Sequence, residues 1–107
     1  METAFTYTLS YTELVIDHIR AIDRKYHTLI RETITQQLTY EPLVETRNRK
    51  PLTRPVEFGA TWEIRFGPQN RFRVFYDVDA TEQVVQILAI GVKDGHQLMI
   101  GGEEIAL

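Results

Sequence analysis

The chain contains no cysteine. That excludes disulfides, thiol catalysis and thiolate metal sites, and it removes any sign of a secreted disulfide scaffold. Long apolar runs are missing as well, since no stretch approaches the roughly 18 residues a membrane span needs. The opening METAFTYTLSYTE lacks a basic start followed by an apolar run, so no export signal is expected and a cytoplasmic location is the default. There is no Gly-rich phosphate loop, and Gly101-Gly102 alone does not make one. His18 and His27 sit in helical patterns with no third ligand at zinc spacing, so neither a metal nor another cofactor is expected. Repeats and low-complexity segments are absent.

What remains is one domain over residues 1–107. An apolar fraction of 43% suffices for a modest core, and 25% charged residues is ordinary for a soluble protein. The formal charge of −3 argues against a generic nucleic-acid binder, but the mean hides a split. Residues 47–73 hold seven basic residues against Glu57 and Glu63, while the rest of the chain holds five basic and thirteen acidic ones. A basic zone on an acidic body can focus a phosphate chain, although a solvated loop and a charged sheet face would have the same composition.

Phe5–Leu9 alternates and reads as a first strand. Ser10 or Thr12 can cap the helix that follows, in which Leu14, Val15, His18, Ile19 and Ile22 recur at helical spacing. Asp23 ends that helix and helps to start a second, over 25–40, marked by the ladder Tyr26, Ile30, Ile34 and Leu38. Tyr40–Gly59 carries Pro42, Pro51 and Pro55 and reads as an irregular basic loop. Gln83–Ile90 reads as a buried strand, Gly91–His96 as a turn, and Gln97–Ile100 as a short strand or a helical turn.

The most telling stretch is Trp62–Asp79. Trp62, Ile64 and Phe66 alternate with Glu63 and Arg65. After the turn residues Gly67-Pro68-Gln69-Asn70, the positions Phe72, Val74, Tyr76 and Val78 alternate with Arg71, Arg73 and Asp77. Two alternating runs around such a turn predict a hairpin. One face is apolar, and the other carries Glu63, Arg65, Arg71 and Arg73. Arginine stays charged and offers a planar fork of donors, so this face suits phosphate recognition. The predicted fold is α+β: an N-terminal strand, a two-helix hairpin, then an antiparallel three-strand meander, with the helices on one sheet face and the other partly open.

The segments WEIRFG, RFRVFYDVD and VVQILAIGVKDGHQL, with ETRNRKPL before them, resemble the hairpin, final strand and basic loop of the RelE/ParE toxin superfamily of type II toxin–antitoxin systems. The element order matches too. The resemblance implies a toxin neutralised by a small cognate antitoxin that wraps it. RelE-like members cleave mRNA, mostly on the ribosome. ParE-like members poison DNA gyrase without catalysis, and a weakly toxic non-catalytic member is a third possibility.

Metal-independent RNA cleavage uses the 2′-hydroxyl as nucleophile and needs a base, cations on the developing phosphorane and an acid at the leaving oxygen. Carried over from the superfamily, Arg73 and Arg65 bind the scissile phosphate and Lys93 stabilises charge, while Glu63 or His96 moves protons. Two departures stand out. Glu63 occupies a position that is commonly lysine, so it is either a carboxylate base or half of an ordinary Glu–Arg pair. Leu98 and Met99 stand where the superfamily has a catalytic tyrosine. Arg47, Arg49, Lys50, Arg54 and Arg71 fit RNA backbone contacts or, equally, acidic residues of an antitoxin. Tyr76 is expected in the core. Phe75 shares the arginine face, where it either stacks on a base or fills a groove under an antitoxin helix.

Overall fold

The computed structural model describes residues 5–105. The first four residues of the segment read for an export signal, and the two ends of the 1–107 domain, lie outside the described residues. β1 (Thr8–Tyr11) is followed by α1 (Glu13–Arg20) and α2 (His27–Leu38), and then by six strands. These are β2 (Arg49–Pro51), β3 (Trp62–Phe66), β4 (Phe72–Asp79), β5 (Val84–Asp94), β6 (Gln97–Ile100) and β7 (Glu103–Ile105).

Local signals mark where the helices start, but the hydroxyl cap expected from Ser10 or Thr12 is not made. Thr12 takes an extended conformation at the N-cap of α1, but only its carbonyl participates, accepting from Val15 N–H at 3.1 Å. The Asp23 carboxylate accepts from Lys25 N–H at 3.0 Å and opens a 3₁₀ turn, Arg24–Tyr26, that runs into α2. Ile30, Ile34 and Leu38 of the α2 ladder are fully buried. Each such side chain contributes roughly 1.5–3 kcal/mol by leaving water.

β5 is the spine of a seven-stranded sheet. β4 runs antiparallel along one of its edges, with a bulge between Phe75 and Tyr76. The other edge is shared: β1 pairs in parallel with Val84–Ile87, and β6 pairs antiparallel with Gly91–Asp94. Between those two stretches the Ile90 N–H donates to His18 Nδ1 at 3.2 Å, so α1 itself fills the gap in the ladder. β2 and β7 form the two ends of the sheet.

The structure extends the expected four strands to seven, and three local readings change. The first strand lies at Thr8–Tyr11 because non-local pairing with β5 sets its limits, while Phe5 stays exposed. The irregular loop contains β2, whose Pro51 is tolerated at the end of an edge strand. Gly91 is a strand residue: a Cβ there would come within 2.9 Å of Ile100 Cγ1 and of the Met99 carbonyl, so the glycine lets β6 close over it.

The main core lies between the helices and one sheet face. It gathers Val15, Ile30 and Ile34 against Val74, Tyr76 and Ile87, with Trp62 stacked on Tyr76 at 6.2 Å. Tyr76 is buried as expected, its hydroxyl donating to the Pro42 carbonyl at 2.7 Å, and burial pushes its pKa up. The opposite face is less open than expected. Val56 and Phe58 fold back over Phe75, Ala89, Leu98 and Ile100 to make a second, smaller core.

Candidate functional site: a clustered arginine pair on the outer sheet face

The β3–β4 register decides which side chains meet. Arg65 stands opposite Arg73, and Glu63 opposite Phe75. Like charges directly opposite one another on a sheet repel, and here Glu63 answers that repulsion. Its Oε1 accepts from Arg65 Nε at 2.8 Å, and its Oε2 lies 3.7 Å from Arg73 Nη1. The Glu63 side chain is 9% exposed and that of Arg73 13%, while that of Arg65 is 48% exposed. Burial, then the Arg65 charge, lower the Arg73 pKa, and Glu63 opposes both. An arginine remains charged under such a shift. The cluster is thus a buried carboxylate holding one half-exposed and one mostly covered guanidinium, set on paired strands β3 and β4.

The other candidates fall into three groups. Lys50 joins the cluster, because its register partner across β2 and β3 is Glu63. Lys93 shares the face at a distance: Gly91 is the partner of Arg73, and Lys93 lies two residues further along β5, or about 6–7 Å. His96 sits beyond the end of β5 in an exposed turn and is not brought to the cluster. Arg47 and Arg54 are exposed.

Arg71 and Arg49 stand elsewhere than expected. Arg71 does not share the face of Arg73. Gln69 and Asn70 are left-handed and Arg71 is helical, which resets the alternation before β4 begins. Its guanidinium lies 5.8 Å from the Tyr26 ring on the helix side. Arg49 is 2% exposed. It donates to the Val44 carbonyl at 3.0 Å and to Gln37 Oε1 at 2.5 Å, and lies 3.9 Å from Glu41. It therefore ties the 41–48 loop to α2 and offers no surface for RNA. Phe75 is fully buried with Phe58 packed edge-on at 5.2 Å, which rules out base stacking on its ring.

Sequence reasoning missed Asn48 and Asn70. The Asn48 carbonyl accepts from Arg65 N–H at 2.8 Å, and the Asn70 carbonyl from Arg73 Nε at 3.3 Å. The signal was available in part, since asparagine is the side-chain-bearing residue that most readily takes a left-handed turn. Among the described residues no group of three or more His, Asp or Glu is placed to hold a metal, and no helix is long and apolar enough to cross a membrane.

The family profile of the ParE toxin of the type II toxin–antitoxin system parDE matches residues 9–94, which spans β1 to the end of β5. No match was found among curated proteins. Among solved structures, the chain is similar to one in the RelBE2 toxin–antitoxin complex from Mycobacterium tuberculosis. The identity is 25% and the TM-score 0.68, over 87% of this chain and 98% of that one. It also shares its fold with a chain of the archaeal RelE–RelB complex from Pyrococcus horikoshii OT3, at 19% identity and a TM-score of 0.57, over 85% of this chain and 98% of that one. The profile covers the hairpin that carries the arginine pair and most of the sheet around it, and on that extent the chain belongs to the ParE toxin family, within the RelE/ParE superfamily of type II toxins.

Proposed function

We propose that this toxin is an mRNA endoribonuclease, acting in association with the ribosome and held inactive by a cognate antitoxin. The observation that carries the reading is the Arg65–Arg73 pair, opposed across two central strands with Glu63 between them. Arg65 and Arg73 bind the scissile phosphate. The 2′-hydroxyl attacks phosphorus, the 5′-oxygen leaves, and the products carry a 2′,3′-cyclic phosphate and a 5′-hydroxyl. Guanidiniums fixed beforehand on the phosphorane charge supply the largest share of the rate, on the order of 10²–10³-fold for one donor. Lys93 meets the same charge from further along the face. Of the two proton carriers expected from the sequence, only Glu63 stands at the cluster, so it takes the 2′-hydroxyl proton, and the departing 5′-oxygen takes its proton from water. Lys50 beside it, with exposed Arg47 and Arg54, extends the basic surface along the RNA backbone. Antitoxin binding follows from family membership, and both solved relatives named above are toxin–antitoxin complexes.

A second reading, gyrase inhibition without catalysis, is favoured by one feature. Both Glu63 oxygens already face guanidiniums, and Leu98, where a tyrosine acid would be expected, is buried. Controlled expression separates the two readings. Cleavage predicts new mRNA ends within minutes, lost in Arg73→Ala and Arg65→Ala and suppressed by the antitoxin. Intact mRNA together with broken chromosomal DNA would sink the ribonuclease reading.

A further inference from the structure

Arg73 is held by more than Glu63. Its Nε donates to the Asn70 carbonyl at 3.3 Å, from the opposite side of the guanidinium to the Nη1 that faces Glu63. Asn70 and the preceding Gln69 both have left-handed backbone, with φ of 52° and 57°. Two consecutive residues with side chains in that region are costly and persist only where their surroundings hold them.

The surroundings are the 41–48 loop. Asn70 Nδ2 donates to Asn48 Oδ1 at 3.4 Å, and the Asn48 carbonyl accepts from Arg65 N–H at 2.8 Å. Asn48 is itself fixed, because Thr46 Oγ1 accepts from the N–H groups of Asn48 and Arg49 at 3.3 and 3.0 Å. Next to it the buried Arg49 guanidinium is bound to the Val44 carbonyl and to Gln37. Burying a cation is expensive unless its partners are well placed. This one secures a three-residue edge strand, which would otherwise fray, at the level of the arginine pair. A continuous run of contacts thus leads from α2 through Arg49, Asn48 and Asn70 to both arginines.

We propose that Asn48 and Asn70 are positioning residues for the Arg65–Arg73 pair: an asparagine bridge across the end of the hairpin, anchored by buried Arg49, that presents the Arg73 guanidinium to the outer face in one orientation. The proposal rests on the reading of that pair as the working site, but not on the reaction performed there. Its function is preorganisation. A guanidinium already aimed at the phosphate loses less freedom when the substrate arrives.

The test is solvent exchange of the Arg73 Nε–H, followed by NMR in the ¹⁵N-labelled free chain and assigned by its disappearance in Arg73→Lys. Two variants isolate the bridge. Asn48→Ala removes the acceptor. Asn70→Gly keeps the left-handed backbone and the carbonyl and removes only the side-chain donor. Each is expected to speed exchange roughly three- to tenfold, the size of one modest hydrogen bond, with Tm lowered by no more than the few degrees such a bond is worth. The double variant should exchange no faster than either single one, because each breaks the same contact. Unchanged exchange in both single variants, or an additive effect in the double, overturns the bridge. Growth arrest is scored in parallel: both variants should weaken it less than Arg73→Ala. If Arg73→Ala leaves arrest intact, the site reading fails, and the exchange data still decide the bridge.

Discussion

Beneath the helices the sheet offers Val74, Tyr76, Val85, Ile87 and Ile90, all fully buried against α1 and α2. On the opposite face, the same strands carry a small apolar patch under residues 52–58 and, beside it, a carboxylate between two guanidiniums. Both faces come from the same alternation, so β4 contributes Tyr76 to one and Arg73 and Phe75 to the other. The inner face is closed by regular elements that bring their own apolar stripes. The outer face is closed only by a loop, and only in part. The inner face therefore has room for stability alone, while the outer face can keep charges near the surface without exposing the core.

The comparison can be broken at its apolar ends first. Ile87→Ala on the inner face should cost about 2–5 kcal/mol in urea unfolding, the usual range for emptying a well-packed site. Phe58→Ala on the outer face should cost less, about 1–2 kcal/mol, because Phe58 is only partly buried and its loop can resettle. Equal costs would mean the outer patch is as much a core as the inner one. Tyr76→Phe falls between, at about 1–3 kcal/mol, since it strands the buried Pro42 carbonyl.

The same contrast explains what was legible beforehand. The hairpin could be read from alternation because β3 and β4 each have one apolar face against the helices. Arg65 and Arg73 were placed correctly for that reason. Arg71 was not, because the left-handed turn before β4 shifts the phase by an amount that composition does not reveal. Arg49 looked like one more loop cation, since nothing local marks a guanidinium that will be covered by α2. Lys50 beside Glu63 is a register fact, fixed by non-local pairing of a strand too short to show alternation. The outer patch was missed for a related reason: Val56 and Phe58 sit in an irregular, proline-containing segment whose path only the fold supplies.

The electrostatic half of the outer face is sharpened by Glu63→Gln. This variant keeps the shape and removes the charge that holds Arg65 and Arg73 together. Breaking a fully buried ion pair costs about 3–5 kcal/mol, and an exposed one about 0–1. With Arg65 half-exposed, the expected loss is about 1–2 kcal/mol in urea unfolding, and added salt should restore part of it by screening the two arginines. A loss that salt does not change would mean that Glu63 acts by packing. If Glu63 is also the base, RNA cleavage should fall by about 10²–10⁴-fold, well beyond what the stability change explains.

The smallest effect sits on the inner face, where His18 is bound to the sheet. Its Nδ1 accepts the Ile90 N–H, so that nitrogen must be unprotonated in the fold. Burial lowers its pKa below the ordinary 6.5, and Asp17 opposes the shift. Asp23, Arg71 and Asp94 line the same cavity. A folded pKa below the unfolded value means that the unfolded chain binds more protons in the window between them. The His18 contribution is therefore complete above about pH 6.5 and declines as pH falls towards the folded pKa. His18→Asn keeps an acceptor close to the Nδ1 position and cannot titrate. Thermal unfolding at pH 7.5 and 5.5 should show a larger drop in Tm for the native chain than for His18→Asn. Equal drops would remove His18 as a source of pH sensitivity.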